Sequence, residues 1–282
     1  MEHKGFAKCK ISCVGFCMVV FLLAAGVFVF HVQARADHKR DYGVFLNADS
    51  SDLKKLAGYK TVVIDAQYFS KKDISYLKKQ GCVVYSYLNV GSLENFREYY
   101  ATYENLTLGE YENWEEEKWI DVSSARWQKF LTSLEKKLIN KGIDGFFVDN
   151  CDVYYQYPGE KIFEGLTVIL KHLRKYGKPV IINGGDTYVM EYRKRNGTLT
   201  DIMTGVNQEC VWSKIEFDQG KFSAQKKKDR EYFQKYVETC DDEGLDVYLL
   251  EYTKSRTLKN RIKKYCSRMQ FLYYISDSIE LN

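Results

Sequence analysis

The chain has 282 residues, 45% of them hydrophobic and 15% aromatic, with 23 tyrosines. Its net charge is +4, but Glu2 and the cations Lys4, Lys8, Lys10 and Arg35 all fall in the first 36 residues, which leaves the rest near +1. That balance argues against a nucleic-acid partner, which needs a basic surface to neutralise phosphates. The length suits one domain with a substantial core.

The first element is an apolar run, Ile11 to Val32. Signal-peptide cores are typically ~7–15 residues and spanning helices need ~20, so this length favours a retained anchor. Ala34-Arg35-Ala36 is a small-x-small pattern, which favours cleavage, and both readings stay open. Cations flank the run on both sides, so they do not set its orientation. Either way, residues 37–282 are expected outside the cytoplasm, secreted or anchored to the outer face of the membrane. Membrane contact is expected only through residues 11–32, if that segment is retained. The domains are therefore 1–36, a signal peptide or anchor, and 37–282, the folded domain.

From residue 40 onward, short apolar runs alternate with longer amphipathic ones. The predicted strands are Gly43–Leu46, Thr61–Asp65, Val83–Asn89, Gly145–Asn150, Pro179–Asn183, Ile202–Gln208, Val247–Tyr252 and Phe271–Ile275. Most are nearly continuous hydrophobics, as parallel strands covered on both faces are. Helices are predicted over Lys71–Lys79, Ser124–Asn140, Lys161–Tyr176, Asp229–Asp242 and Ser255–Tyr265. In the second, Trp127, Phe130, Leu131, Leu134 and Leu138 form one apolar stripe, and Gly142 supplies the usual stop. Eight strands alternating with helices predict an α/β chain closed into a single (β/α)8 TIM barrel. Residues 95–118, rich in Tyr and Glu, form a long excursion after the third strand that is suited to shaping a cleft.

Five cysteines lie beyond the apolar run, in no zinc-binding pattern. Cys151 and Cys210 each follow a strand-end carboxylate, so a disulfide between them is one open reading.

Side chains at the carboxyl ends of barrel strands converge on one face. Here they are Asp65, Asn89, Asp149 with Asn150 and Asp152, Asn183, Glu209 and Glu251. Carboxylates beside buried strands are costly unless paired or used. Asp152, with Asp144 and Asp121, also suits a helix cap or loop anchor. Asp149 and Glu209 are the candidate catalytic pair, because glycosidic cleavage needs one protonated and one ionised carboxyl on the same linkage. Tyr87, Tyr154, Tyr155, Tyr188 and Tyr252 lie near the same rim, where rings can stack on sugar faces or simply pack. None of His3, His31, His38 and His172 ends a strand, which disfavours a His-liganded metal and Ser-His-Asp chemistry. No phosphate-loop or dinucleotide pattern follows a strand. No cofactor and no metal are expected.

Three strings, in order, resemble glycoside-hydrolase family GH114, the endo-α-1,4-polygalactosaminidase-like barrels. They are Tyr87-Leu88-Asn89-Val90-Gly91-Ser92-Leu93-Glu94-Asn95-Phe96-Arg97, Trp119-Ile120-Asp121-Val122, and Gly142-Ile143-Asp144-Gly145-Phe146-Phe147-Val148-Asp149-Asn150-Cys151-Asp152-Val153-Tyr154. The last is the longest and most specific. Ser92 stands where the family often has an acidic residue, and strand one lacks the family's aromatic-rich opening. The resemblance implies Asp149 and Glu209 as the catalytic carboxylates, with Asp65, Asn89, Asn150, Asn183 and Glu251 lining the substrate site. Rim position adds Tyr87, Asp152, Tyr154 and Tyr252 to the substrate-binding set. The resemblance further implies hydrolysis of an α-1,4-linked galactosamine-containing polysaccharide; the chain is expected to be a monomer. Two other readings stand beside it: a glycosidase on another cell-wall or capsule glycan, and a non-catalytic surface carbohydrate-binding barrel.

Overall fold

The computed structural model describes residues 40–282, and the apolar amino-terminal segment lies outside the described residues. All eight expected strands are present and parallel. They are β1 (Arg40–Phe45), β2 (Tyr59–Ile64), β3 (Val83–Asn89), β4 (Gly145–Asp149), β5 (Val180–Asn183), β6 (Gly205–Glu209), β7 (Asp246–Tyr252) and β8 (Leu272–Ser276). They pair in chain order from β1 to β8, and β1 packs beside β8 to bring the ring nearly to closure. Aromatic contact holds that seam: Phe45 of β1 meets Tyr274 of β8 with ring centroids 5.3 Å apart. The fold is thus the expected TIM-like α/β barrel.

The long helices are α1 (Lys71–Lys79), α2 (Ala125–Lys141), α3 (Glu160–Arg174), α4 (Asp186–Asn196), α5 (Lys227–Asp242) and α6 (Arg256–Met269). Their starts follow from local chemistry. The Ser70 hydroxyl accepts the Asp73 N–H while the Asp73 carboxylate accepts the Ser70 N–H, a reciprocal cap on α1. At α6 the cap is one-sided, the Ser255 hydroxyl accepting the Leu258 N–H. α2 stops at Gly142, whose φ of 102° lies in the left-handed region that glycine adopts without strain.

Two layers of apolar side chains result. Along each strand, alternate residues face the barrel interior or the helices. The interior holds Tyr42, Val44, Val63, Tyr85, Tyr87, Phe147, Ile181, Tyr248, Leu250 and Tyr252. Barrel interiors are usually filled with branched aliphatics. Here five of those ten are tyrosines, so the packed interior also carries hydroxyls.

Of the two readings of Cys151 and Cys210, the unpaired one holds: both are free thiols, Cys151 fully buried. Helix α4 was not expected, because its buried side chains Tyr188, Val189 and Tyr192 are few and embedded among charges. The predicted sixth strand, Ile202–Gln208, begins three residues late at Gly205. Ile202 and Met203 are buried in the turn before it, so their hydrophobicity reflects packing rather than strand. The excursion after β3 is built, not loose. Ser92–Glu94, Glu117–Ile120 and Thr107–Glu110 form a small antiparallel sheet. After β6, Ser213–Glu216 and Lys221–Ala224 form a hairpin.

Gly91 marks where two strand ends touch. A Cβ there would sit 1.8 Å from the backbone oxygen of Asn150, which cannot yield as a side chain could. Gly91→Ala should therefore force the β3 and β4 ends apart and cost about 3 kcal/mol. Urea unfolding of the two proteins measures this, and an unchanged midpoint contradicts the packing described.

Candidate active site

Strand parity decides which polar side chains meet. Asp149 has the parity of Phe147, Asn183 that of Ile181, and Tyr252 that of Leu250, and all point inward at the carboxyl end of the barrel. Asn207 and Glu209 lie on the same side of β6. At their centre is the Asn183 amide. Its Nδ2 donates to Asp149 Oδ1 at 2.9 Å and to Glu209 Oε1 at 2.8 Å. Two oxygens held by one nitrogen at those distances are less than 5.7 Å apart. Tyr252 donates its hydroxyl to the other oxygen, Oε2, of Glu209 at 2.8 Å.

The orientation of Asn183 is itself fixed. Its Oδ1 accepts from Asn207 Nδ2 at 2.7 Å, and Asn207 Oδ1 accepts from the Tyr42 hydroxyl at 3.1 Å. Asn207 is fully buried and Tyr42 nearly so. This column, Tyr42 to Asn207 to Asn183, leaves Asn183 only its N–H groups to offer the carboxylates. Neither Tyr42 nor Asn207 was among the expected site residues. Asn207 carried a readable signal: a polar residue two before Glu209 must share its face. Tyr42 carried none, since it precedes the predicted start of its strand.

Each candidate carboxylate is followed by a non-glycine residue in left-handed backbone, Asn150 with φ 66° and Cys210 with φ 57°. Such conformations cost of order 1 kcal/mol each and persist where the surroundings enforce them. Asn150 is enforced by a polar cluster. Its Nδ2 lies 3.1 Å from Asn89 Oδ1, 3.0 Å from Ser92 Oγ and 3.3 Å from Glu117 Oε2, and its Oδ1 accepts from the Tyr111 hydroxyl at 3.1 Å. Ser92 also donates to Glu117. Glu117 thus supplies a carboxylate beside Ser92, which stands at the departure noted in the sequence.

The other expected site residues are placed differently. Asp65 is buried; its Oδ2 is 2.6 Å from Arg97 Nη1 and its Oδ1 caps the turn at the Gln67 N–H. Arg97 also grips Glu94, with Nε 2.6 Å from Oε2 and Nη2 2.9 Å from Oε1. Glu251 has the outward parity and is fully buried. Its oxygens accept the Trp212 and Ser213 N–H groups and the Ser213 hydroxyl, anchoring the start of the β6 hairpin. Asp65 and Glu251 are both buried, and protein donors occupy each: Arg97 and the Gln67 N–H on Asp65, Trp212 and Ser213 on Glu251. Tyr87 lies between, its hydroxyl 3.4 Å from Glu94 Oε1 and beside Asp149. Asp152 flanks Asp149 and accepts the Gly185 N–H at 3.1 Å. Tyr154 is half-buried, edge-on to Phe163 and Tyr188. Among the described residues, no three His, Cys, Asp or Glu side chains converge as a metal site.

Burial favours the protonated form of these acids. It lifts Asp149 to about 6, and the charge on Glu209 adds to the rise while the Asn183 hydrogen bond opposes it. Glu209 is raised too, again mainly by burial, with Asn183 and Tyr252 opposing. Two acids this close hold and release protons as a pair. Burial also pushes Asp152 and Glu117 up to about 7.

The sequence profile of glycoside-hydrolase family GH114 matches residues 32–277. The chain belongs to family GH114. Solved structures agree at the level of fold. The glycoside hydrolase domain of PelA from Pseudomonas aeruginosa superposes with a TM-score of 0.69 at 18% identity, covering 86% of this chain and 95% of that one. Aspergillus fumigatus Ega3, solved with galactosamine, gives 0.66 at 17% identity, covering 89% and 95%. An α-galactosidase from Thermus thermophilus gives 0.56 at 9% identity, covering 83% and 57%. A search of curated proteins gives no match. In this GH114 barrel, the family's fold and the inward-facing carboxylates coincide on one rim.

The Tyr42–Asn207–Asn183 column yields a test. Asn207→Ala should free the Asn183 amide to rotate and lower kcat about tenfold, roughly one lost orienting hydrogen bond, with KM little changed. Steady-state kinetics on the wild-type substrate measure this, and a rise in KM alone contradicts a positioning role.

Proposed function

We propose that this GH114 protein cleaves α-1,4 linkages in a galactosamine-containing polysaccharide outside the cell, with Asp149 and Glu209 as the catalytic carboxylates. The single observation that carries the reading is the Asn183 amide, which holds both carboxyl groups on one side of the barrel mouth within reach of one sugar linkage. The galactosamine bound in the Ega3 structure supports the substrate class.

The chemistry follows from the separation. Retaining glycosidases hold their carboxyl groups about 5–5.5 Å apart, and inverting enzymes about 6.5–9.5 Å, with room for water between. The two amide-held oxygens lie less than 5.7 Å apart, which leaves little room for an intervening water and supports the retaining class. One carboxyl of the pair donates its proton to the glycosidic oxygen, and the leaving sugar departs as an alcohol. The other, ionised, attacks the anomeric carbon and forms a glycosyl ester. The first, now a carboxylate, takes a proton from water; the hydroxide attacks the same carbon, the ester bond breaks, and the pair returns to its starting protonation. Asn183 and Tyr252 hold the acids at fixed positions through both steps.

Two outcomes test this. Asp149→Asn and Glu209→Gln should each lower turnover by about 10²–10⁴-fold while polymer binding persists. The first-formed product, followed by proton NMR, should keep the configuration of the cleaved linkage. Hydrolysis at the wild-type rate by either variant overturns the catalytic assignment; an inverted product overturns the retaining route.

The pH profile gives a second check. Burial raises both acids, so the singly protonated pair should persist into mildly acidic to neutral solution. kcat/KM should form a bell, falling at low pH as the second proton binds and at high pH as the last one leaves. A rate independent of pH from 5 to 9 contradicts it.

A further inference from the structure

Among the described residues, six of the seven exposed aromatic side chains sit on the strand-end rim: Tyr68, Phe96, Trp114, Tyr155, Phe217 and Tyr232. The seventh, Tyr76, is on α1. Exposed rings scattered singly need no explanation, but rings gathered on one rim do. Two of the six touch across the mouth. Trp114 tips the excursion after β3 and Phe217 tips the hairpin after β6, and their rings meet edge to face, centroids 5.9 Å apart at 77°.

Both arms are footed on the candidate site. On one side, Tyr111 stacks on Trp119 at 3.9 Å and donates to Asn150, next to Asp149. The turn then closes through Trp114 N–H to the Tyr111 carbonyl at 3.1 Å and Glu117 N–H to the Trp114 carbonyl at 2.9 Å. On the other side, Phe222 of the hairpin packs 5.7 Å from Tyr252, whose hydroxyl binds Glu209. The bridge therefore joins the two walls that carry Asp149 and Glu209. Yet Trp114 is 40% exposed and Phe217 39%, so both side chains keep much of their surface open to solvent despite the contact. Glu112, Glu115 and Glu116 stand exposed around Trp114, and Asp218 follows Phe217.

We propose that Trp114 and Phe217 grip sugar rings flanking the cleaved linkage and select rings that carry a free ammonium group. This inference rests on the function proposed above. An indole face attracts cations through its ring quadrupole, most strongly among the aromatic side chains. The surrounding carboxylates favour the same charge, and a neutral N-acetyl sugar gains neither attraction.

The test uses the full-length protein and long galactosamine oligomers, one set de-N-acetylated and one fully N-acetylated. Trp114→Ala and Phe217→Ala should each raise KM about tenfold on the cationic set, an effect of the size that cation–π contacts carry. kcat should change less than twofold, and KM on the acetylated set should barely move. Trp114→Phe should restore part of the affinity, and Tyr76→Ala should behave as wild type. Wild-type KM in both alanine variants overturns the grip, and an equal rise on both sets overturns the ammonium preference. Trp119 and Trp127 are buried and Trp212 is half-buried, so Trp114 is the tryptophan most open to a ligand. Fluorescence titration of Glu209→Gln with the cationic oligomer should thus show a change that vanishes on adding Trp114→Phe. That readout stands without turnover, so if the wild type cleaves neither set, the function proposed above fails while the titration still decides the grip.

Discussion

Everything at the barrel mouth depends on one amide. Two carboxylates whose facing oxygens lie less than 5.7 Å apart repel, and burial penalises their charge further. A single NH₂ group offers each of them a donor and so turns an unfavourable proximity into a held geometry. The amide can do this only because its oxygen is already committed to Asn207, and Asn207 to Tyr42. A barrel filled wholly with aliphatics offers no such column. The unusual tyrosine content of this interior is thus part of the site, not only of the core.

Around that centre, polar groups are satisfied by one another in separate sets. Asn89, Ser92, Glu117 and Tyr111 close on Asn150 and keep its backbone left-handed. Asp65, Arg97 and Glu94 form an internal ion triad beneath the β2 and β3 ends. Glu251 ties down the hairpin that begins after Cys210. Each set fixes a loop root, so the strand ends are rigid before any sugar arrives.

Much of this was legible in the sequence, and the failures have physical causes. Eight buried runs gave the barrel, since parallel strands cannot hide their hydrophobicity. Asp149 and Glu209 were legible because acids at strand ends are expensive. Glu251 and Asp65 share that strand-end position, but strand-end position alone does not show that both are buried among protein donors while Asp149 and Glu209 stay partly exposed. Parity would have separated Glu251, because its neighbour Tyr252 takes the inner face. Helix α4 and the small sheet were not legible. Their stability comes from tertiary contacts such as Tyr188 and Tyr192 against Phe163, and little of it from local periodicity.

The acids and the arms have different foundations: β4 and β6 carry the former, while a three-stranded sheet and a two-stranded hairpin carry the latter. Divergence in a lineage can therefore proceed on two clocks. On the proposed assignment, changes confined to the exposed tips around Trp114 and Phe217 would retune recognition, whereas changes at Tyr111, Glu117 or Phe222 would reach the strand-end acids as well.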